Sequence, residues 1–212
     1  MIKTLVIWDY DNTLADTIDC LTLAYEDLCY RYQLPMVTRA EVEKIIAGYP
    51  NDIFGKVTTA SRNEVSMFYH ERCVAHSEQT VSLFNDTIKW LEYLKSMNIM
   101  QVIMSNKITS EIETECRRFN IMGYFERVVG VVPRWESNGV RYKKPELEFA
   151  KPTLQELQPD RVVVIGDGLT DIQFAQNMGA KMIWLSNEQR QGIISCSHDE
   201  LLSVLKRVFV NA

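Results

Sequence analysis

Short apolar runs punctuate the chain at residues 4–8, 100–104, 127–131, 162–165 and 182–185, each bounded by polar or turn-forming positions. Runs of this length, dominated by Val, Ile and Leu and lacking a clear polar face, are what strands buried on both sides look like. Helical spacing of apolar positions fills the intervals 87–97, 110–119, roughly 148–157 and 171–178. A last helix is signalled after Ser197, where Glu200 follows three positions on and precedes Leu201, Leu202 and Leu205. Strands alternating with helices predict βαβ units, and therefore an α/β, doubly wound fold with a parallel sheet between two helical layers. Pro152 complicates one helix: either it begins near Ala150 with proline in its first turn, or it is kinked there.

One connection is too long for a single crossover. Residues 9–99 separate the first run from the second, where a loop, a helix and a loop would need far fewer. Within it, residues 17–78 keep helical periodicity, broken at Leu34-Pro35 and at Ala47-Gly48-Tyr49-Pro50-Asn51. The pattern predicts a small all-helical domain of three or four helices over residues 16–84, inserted after the first strand of a core made of residues 1–15 and 85–212.

Composition narrows the function classes. With 46% hydrophobic and 24% charged residues the chain is ordinary globular material. A formal charge of −5 and a pI near 5.3 argue against a nucleic-acid polymer as partner, because binding a phosphate backbone needs a basic face. The tightest basic groups, Arg117-Arg118 and Lys143-Lys144, are only pairs. No apolar run approaches the length of a membrane span, and Met1-Ile2-Lys3-Thr4 enters a strand and meets Asp9 too soon for a signal peptide. Cys20, Cys29, Cys73, Cys116 and Cys196 are odd in number and widely spaced, which predicts reduced core thiols in a cytoplasmic protein. His70 and His76, six apart on an expected helix, do not share a face, and His198 stands alone, so no zinc site is expected.

The chemistry gathers where the strands end. The first runs into Asp9-Tyr10-Asp11-Asn12-Thr13-Leu14. Two carboxylates two positions apart there point to one side, at the sheet edge where open α/β folds collect ligands. Such charges repel unless one is protonated or a cation lies between them; alternatively, Asp and Asn simply mark a turn. The second run closes on Ser105-Asn106-Lys107, a hydroxyl and an amide before a helix. That pair suits an anion such as phosphate, or an ordinary helix cap. The fourth closes on Gly166-Asp167-Gly168-Leu169-Thr170-Asp171. Its two carboxylates can face one site across a tight glycine turn, or Asp171 can serve only to cap the helix. Lys144-Pro145 lies between these segments and, taken alone, reads as solvated surface.

In that order, these segments together resemble the haloacid dehalogenase superfamily of phosphohydrolases, in the phosphoglycolate-phosphatase-like branch that carries a helical cap. Asp9 to Leu14 look like its first motif, Ser105 matches the hydroxyl of the second, Lys144 the lysine of the third, and Asp167 with Asp171 the acidic pair of the fourth. Ala175 and Gly179-Ala180 extend the likeness. Lys143, Lys144 and Lys151 compete for the third motif. Lys151 stands sixteen residues before Asp167, too few for a loop, helix and strand, whereas Lys144 stands twenty-three before and precedes a proline.

The resemblance implies a Mg²⁺-dependent phosphatase acting on a small phosphomonoester through an aspartyl-phosphate. Asp9 would be the nucleophile and Asp11 the general acid and base. The metal would bind Asp9, the backbone carbonyl of Asp11, and Asp167, with Asp171 in contact directly or through water. Ser105, helped by Asn106, would hold the phosphoryl oxygens, and Lys144 would offset their charge. Alternatives are a phosphomutase of the same superfamily and a catalytically silent metal-binding scaffold. An acid at Asp11 favours ester chemistry over dehalogenation, and residues 16–31 lack the histidine expected of a mutase. Asn12 stands where glycine is commoner in the family, and Gly168 where a small hydroxyl residue is. The cap would set the substrate. Arg31, Arg39, Lys44, Lys56, Arg62 and Arg72 are candidates for an acidic handle, or else solvated surface, and the 48–55 loop with Tyr49, Asn51 and Phe54 is the expected specificity element. The expected partner is a small phosphorylated metabolite, without nucleic acid or membrane, for a monomer or homodimer.

Overall fold

Leu5, Val6, Ile7 and Trp8 are all closed to water because β1 (Thr4–Trp8) lies inside a six-stranded sheet with a helical layer on each face. The computed structural model describes residues 2–49, 52–138 and 141–209. The remaining strands are β2 (Ala15–Asp16), β3 (Ser82–Leu83), β4 (Met100–Ile108), β5 (Arg127–Val131), β6 (Arg161–Gly166), β7 (Lys181–Leu185) and β8 (Ile194–Cys196). The helices are α1 (Ile18–Arg31), α2 (Arg39–Ile46), α3 (Ile53–Lys56), α4 (Arg62–Thr80), α5 (Thr87–Ser96), α6 (Thr109–Arg118), α7 (Leu147–Leu157), α8 (Leu169–Met178) and α9 (His198–Phe209).

The sheet runs β5-β4-β1-β6-β7-β8, every neighbour parallel. Alternation along β1 divides the core. Leu5 and Ile7 join Val102, Met104 and Val164 under Phe149 of α7 and Phe174 of α8. Val6 and Trp8 join Ile103, Val163 and Ile165 under Trp90 of α5 and Leu201, Leu205 and Phe209 of α9. The polar residue within the second apolar run is also accounted for. Gln101 accepts from Trp8 Nε1 at 3.0 Å and donates to the Leu91 carbonyl at 3.0 Å, so its buried amide has partners. From β1 the chain fills one side of the sheet and then returns through β6 to fill the other. This creates a crevice beyond the carboxyl ends of β1 and β6, the position where such folds bind ligands.

The helical insertion is α1 to α4. Its two ends meet in an antiparallel ribbon, Ala15 opposite Leu83 and Asp16 opposite Ser82. Reciprocal capping boxes, Thr38 with Glu41 and Ser61 with Glu64, start α2 and α4. The insertion has its own core, in which Ala24, Tyr25 and Leu28 of α1 pack on Val65, Tyr69 and Cys73 of α4.

The expected elements differ from these in a few instructive places. The second strand continues past Met104 to Ile108, with a register shift against β5, so Ser105-Asn106-Lys107 lies within a strand and does not cap a helix. Helix α7 begins at Leu147, ahead of Ala150, and carries Pro152 in its interior rather than in its first turn. The ribbon β2–β3 and the edge strand β8 were not expected, because two or three residues are too few to show a period. The five cysteines are free and buried. Among the described residues, no helix is long and apolar enough to cross a membrane.

Candidate active site

Two strand ends deliver three acids to one place. Asp9 follows β1, Asp167 follows β6, and Asp171 sits in the first turn of α8. One carboxylate oxygen from each lies within 4.8 Å of the others. Gly166 makes this approach possible, since a side chain there would meet the Asp171 carboxylate at 2.4 Å. Asp171 is fixed further by accepting the Gly168 N–H at 3.0 Å. Asp167 accepts from Asn12 Nδ2 at 2.9 Å and Thr13 Oγ1 at 3.3 Å. Asn12 has φ +56°, a left-handed conformation that Asn tolerates, which accounts for asparagine where glycine is commoner.

Lys144 enters from the loop before α7. Its buried ammonium donates to Asp9 Oδ1 at 2.6 Å and to Asp171 Oδ1. Burial would lower its pKa, but Asp171 and Asp9 outweigh that and hold the lysine protonated. Neither Lys143 nor Lys151 makes this contact. The Asn106 amide straddles the Lys144 backbone, accepting its N–H at 2.9 Å and donating to its carbonyl at 3.3 Å. Asn106 therefore sets the loop that carries the lysine. Ser105, buried, lines the cavity beside Asp9.

The Asp11 carboxylate stands apart from the acidic cluster. Lys107 Nζ donates to Asp11 Oδ1 at 3.1 Å and to Glu115 Oε2 at 3.0 Å, with the Tyr10 ring 5.2 Å from the ammonium. Burial raises the Asp11 pKa, Lys107 pulls it down, and Glu115 and Asp9 raise it; the net direction is up. Lys107 and Glu115 were not among the expected site residues. A signal for Glu115 existed: it shares a helical face with Ile112 and Cys116, an acid on an apolar stripe.

The basic residues of the helical insertion engage surface partners, a ring or solvent. Arg39 pairs with Asp19 and Glu43, Arg62 with Asp52 and Arg72 with Asp27, while Arg31 lies over the Phe68 ring and Lys44 and Lys56 are exposed. Among the described residues, none of these six lines the cavity. Of the 48–55 loop, Gly48 reaches the cavity wall. Tyr49 is exposed, Phe54 packs behind the wall on Tyr25 and Tyr69, and Asn51 lies outside the described residues. The cap side chains that do face the acids include Tyr25 of α1 and Tyr69 and His70 of α4, whose spacing alone looks the same as cap core.

Three carboxylates this close, shielded from most water, cannot all ionise cheaply against one lysine. Burial, then Asp9 and Asp171, push Asp167 well above the usual carboxylate range. Burial and Asp9 raise Asp171 to about 6, against the pull of Lys144 and Gly168. An oxygen-rich cluster with this surplus of negative charge fits a hard divalent cation such as Mg²⁺. Without metal, these raised values mean that the folded state holds protons the unfolded chain has released. Stability of the metal-free protein is therefore expected to fall as pH rises from about 4 through about 6 and beyond. Carboxylates that titrate low, such as Asp52 held down by the Gly55 N–H, finish below that window. Urea denaturation at a series of pH values, with and without Mg²⁺, measures this; a flat metal-free curve between pH 5 and about 8 counts against the cluster as described.

A model of the haloacid dehalogenase-like hydrolases matches residues 6–185. The chain belongs to this family. Among its relatives, the pyrophosphatase PpaX of Bacillus mycoides is 22% identical over 183 residues, spanning 85% of this chain and 82% of that protein. A predicted phosphoglycolate phosphatase from Haemophilus somnus superposes with a TM-score of 0.76 at 17% identity, over 95% of this chain and 97% of that one. CbbY from Rhodobacter sphaeroides, in complex with phosphate, superposes with a TM-score of 0.69 at 19% identity, over 92% and 93%. At such identities the structural likeness shows the fold. The haloacid dehalogenase-like core is thus the α/β sheet, and the acids converge at the carboxyl ends of β1 and β6.

Proposed function

We propose that this chain hydrolyses a small phosphomonoester with Mg²⁺, through a phosphorylated Asp9. The observation that carries the reading is the meeting of Asp9, Asp167 and Asp171 around Lys144, with Asp9, Lys144 and Ser105 lining one cavity. Relatives named as phosphatases and a pyrophosphatase support it.

Asp9, Asp167 and Asp171 would hold the metal, whose charge would offset theirs and that of the phosphoryl oxygens. An Asp9 oxygen forms a bond to phosphorus while the bond from phosphorus to the ester oxygen breaks, which divides one hard displacement into two easier ones. Asp11, its pKa raised by burial, keeps a proton to give to the leaving oxygen. Water then attacks the phosphorus and gives its proton to Asp11 while the bond from phosphorus to the Asp9 oxygen breaks, which releases inorganic phosphate and restores the Asp9 carboxylate. Ser105 binds a phosphoryl oxygen, and Lys144 neutralises charge between Asp9 and the transferring group. The cap excludes water by closing the cavity.

The test is phosphate release from small monoesters. Release is expected with Mg²⁺, to vanish with a chelator and to return on adding Mg²⁺ back. Release that persists in excess chelator would falsify the metal-dependent route, and transfer of the phosphoryl group within a sugar without net release would favour the mutase reading.

A further inference from the structure

The wall opposite the acids carries information about the leaving group. The cavity is about 250 Å³, bounded on the cap side by Leu21, Tyr25, Ile45 and Tyr69 and at one edge by His70 and Glu111. Tyr25 and Tyr69 lie with ring centroids 4.7 Å apart, tilted by 45°, and form a continuous aromatic surface. A cavity of about 150 Å³ holds benzene, so there is room for a phosphoryl group and one ring-sized body against this wall.

Charge restricts that body further. Lys107 and Lys144 are the cations of the cavity among the described residues, and both are committed: Lys107 to Asp11 and Glu115, Lys144 to Asp9 and Asp171. His70 Nδ1 faces Glu111 Oε1 at 3.1 Å, so this pair supplies no surplus positive charge in either protonation state of the imidazole. The basic residues of the cap are paired, stacked or exposed elsewhere, and Pro50 and Asn51, outside the description, are uncharged. A carboxylate or second phosphoryl group in the leaving group would meet Glu111 and the rings with nothing to neutralise it.

We propose that the site takes the monophosphate of a small alcohol whose body is one apolar or aromatic group, uncharged or cationic, and that it rejects esters carrying a second anionic group. The proposal rests on the phosphatase reading above and adds the substrate class. Tyr25 and Tyr69 recognise the body of the alcohol, and Glu111 excludes anions.

The experiment compares benzyl phosphate with phosphoglycolate and pyrophosphate on the full chain with Mg²⁺. Benzyl phosphate and phosphoglycolate both lose an alkoxide, so intrinsic reactivity does not decide between them. We expect kcat/KM for benzyl phosphate to exceed that for either anionic compound by about 10²-fold. Calorimetric binding of benzyl phosphate and phosphoglycolate to Asp9→Asn protein should show the same order. In Glu111→Gln the ratio should narrow by roughly tenfold, a within-protein comparison that partial misfolding does not distort. Equal or reversed preference, or a ratio unchanged in Glu111→Gln, overturns the proposal. If the wild type releases no phosphate from any ester while Asp9→Asn still ranks the ligands as expected, the hydrolytic reading fails and the binding class stands.

Discussion

Replacing Asp9 with asparagine is expected to lower phosphate release by roughly 10⁴-fold or more, and in the same protein to raise the melting temperature measured without metal. Both effects come from one carboxylate. In the proposed role of nucleophile it would have no substitute: Asp11 is turned to Lys107, and Asp167 and Asp171 are engaged with Asn12, Thr13, Gly168 and Lys144. As a charge it is a burden on its neighbours, being the largest cause after burial of the rise in both Asp167 and Asp171. Lys144 does not become an orphan when Asp9 is neutralised, because Asp171 still holds it. We expect a gain of about 1 kcal/mol, or about 2–4 °C for a chain of this size. The upward shift on adding Mg²⁺ should shrink, since one negative ligand is gone. Thermal melts with chelator and with Mg²⁺ read all of this; a lower metal-free melting temperature would mean that the Asp9–Lys144 pair outweighs the repulsion.

The second large effect is expected at Lys107. Lys107→Met leaves Asp11 and Glu115 in a buried setting with their shared cation removed, a change that typically costs about 3–5 kcal/mol. Turnover should fall by roughly 10–10²-fold, because Asp11 loses the contact that positions it. The signature that separates this from general damage is the pH profile. Lys107 is the main influence lowering the Asp11 pKa, so without it the alkaline limb, which reports the acid that must stay protonated, should move to higher pH. Glu115→Gln should move that limb the other way, since Glu115 raises Asp11. The double variant should recover part of the lost stability, as removing a buried pair together leaves no uncompensated charge. An alkaline limb that stays where it was in Lys107→Met would show that Lys107 does not govern Asp11.

Much of this was legible before any coordinates. A run such as Leu5-Val6-Ile7-Trp8 has no polar face, so it could only be an interior strand, and its position fixed which sheet edge Asp9 would occupy. Counting residues back from Asp167 excluded Lys151, because a helix and a strand have fixed rises, and the proline after Lys144 decided between it and Lys143. What was not legible depends on partners distant in sequence. Lys107 looks like any lysine after Ser-Asn until β1 places Asp11 beside it, 96 positions away. Asn106 also closes its amide on the Lys144 backbone, a contact with no periodic signature. In the cap, Tyr25, Phe54 and Tyr69 are all aromatics on helices; only packing decides that Phe54 stands behind and the two tyrosines face the void.

The cap is also part of the acidic cluster's own support. The Ala47 carbonyl, at the end of α2, accepts the Leu169 N–H at 2.8 Å, and Gly48 sits against Thr170. Leu169 opens α8, the helix whose first turn bears Asp171. The amide thus receives from the cap an acceptor that its own helix cannot provide. Under the proposed function, a ligand too bulky for the helical insertion to settle over would withdraw that acceptor and loosen the turn on which Asp171 stands. Size would then be read twice, once by steric fit at the tyrosine wall and again through the order of the carboxylates beneath it.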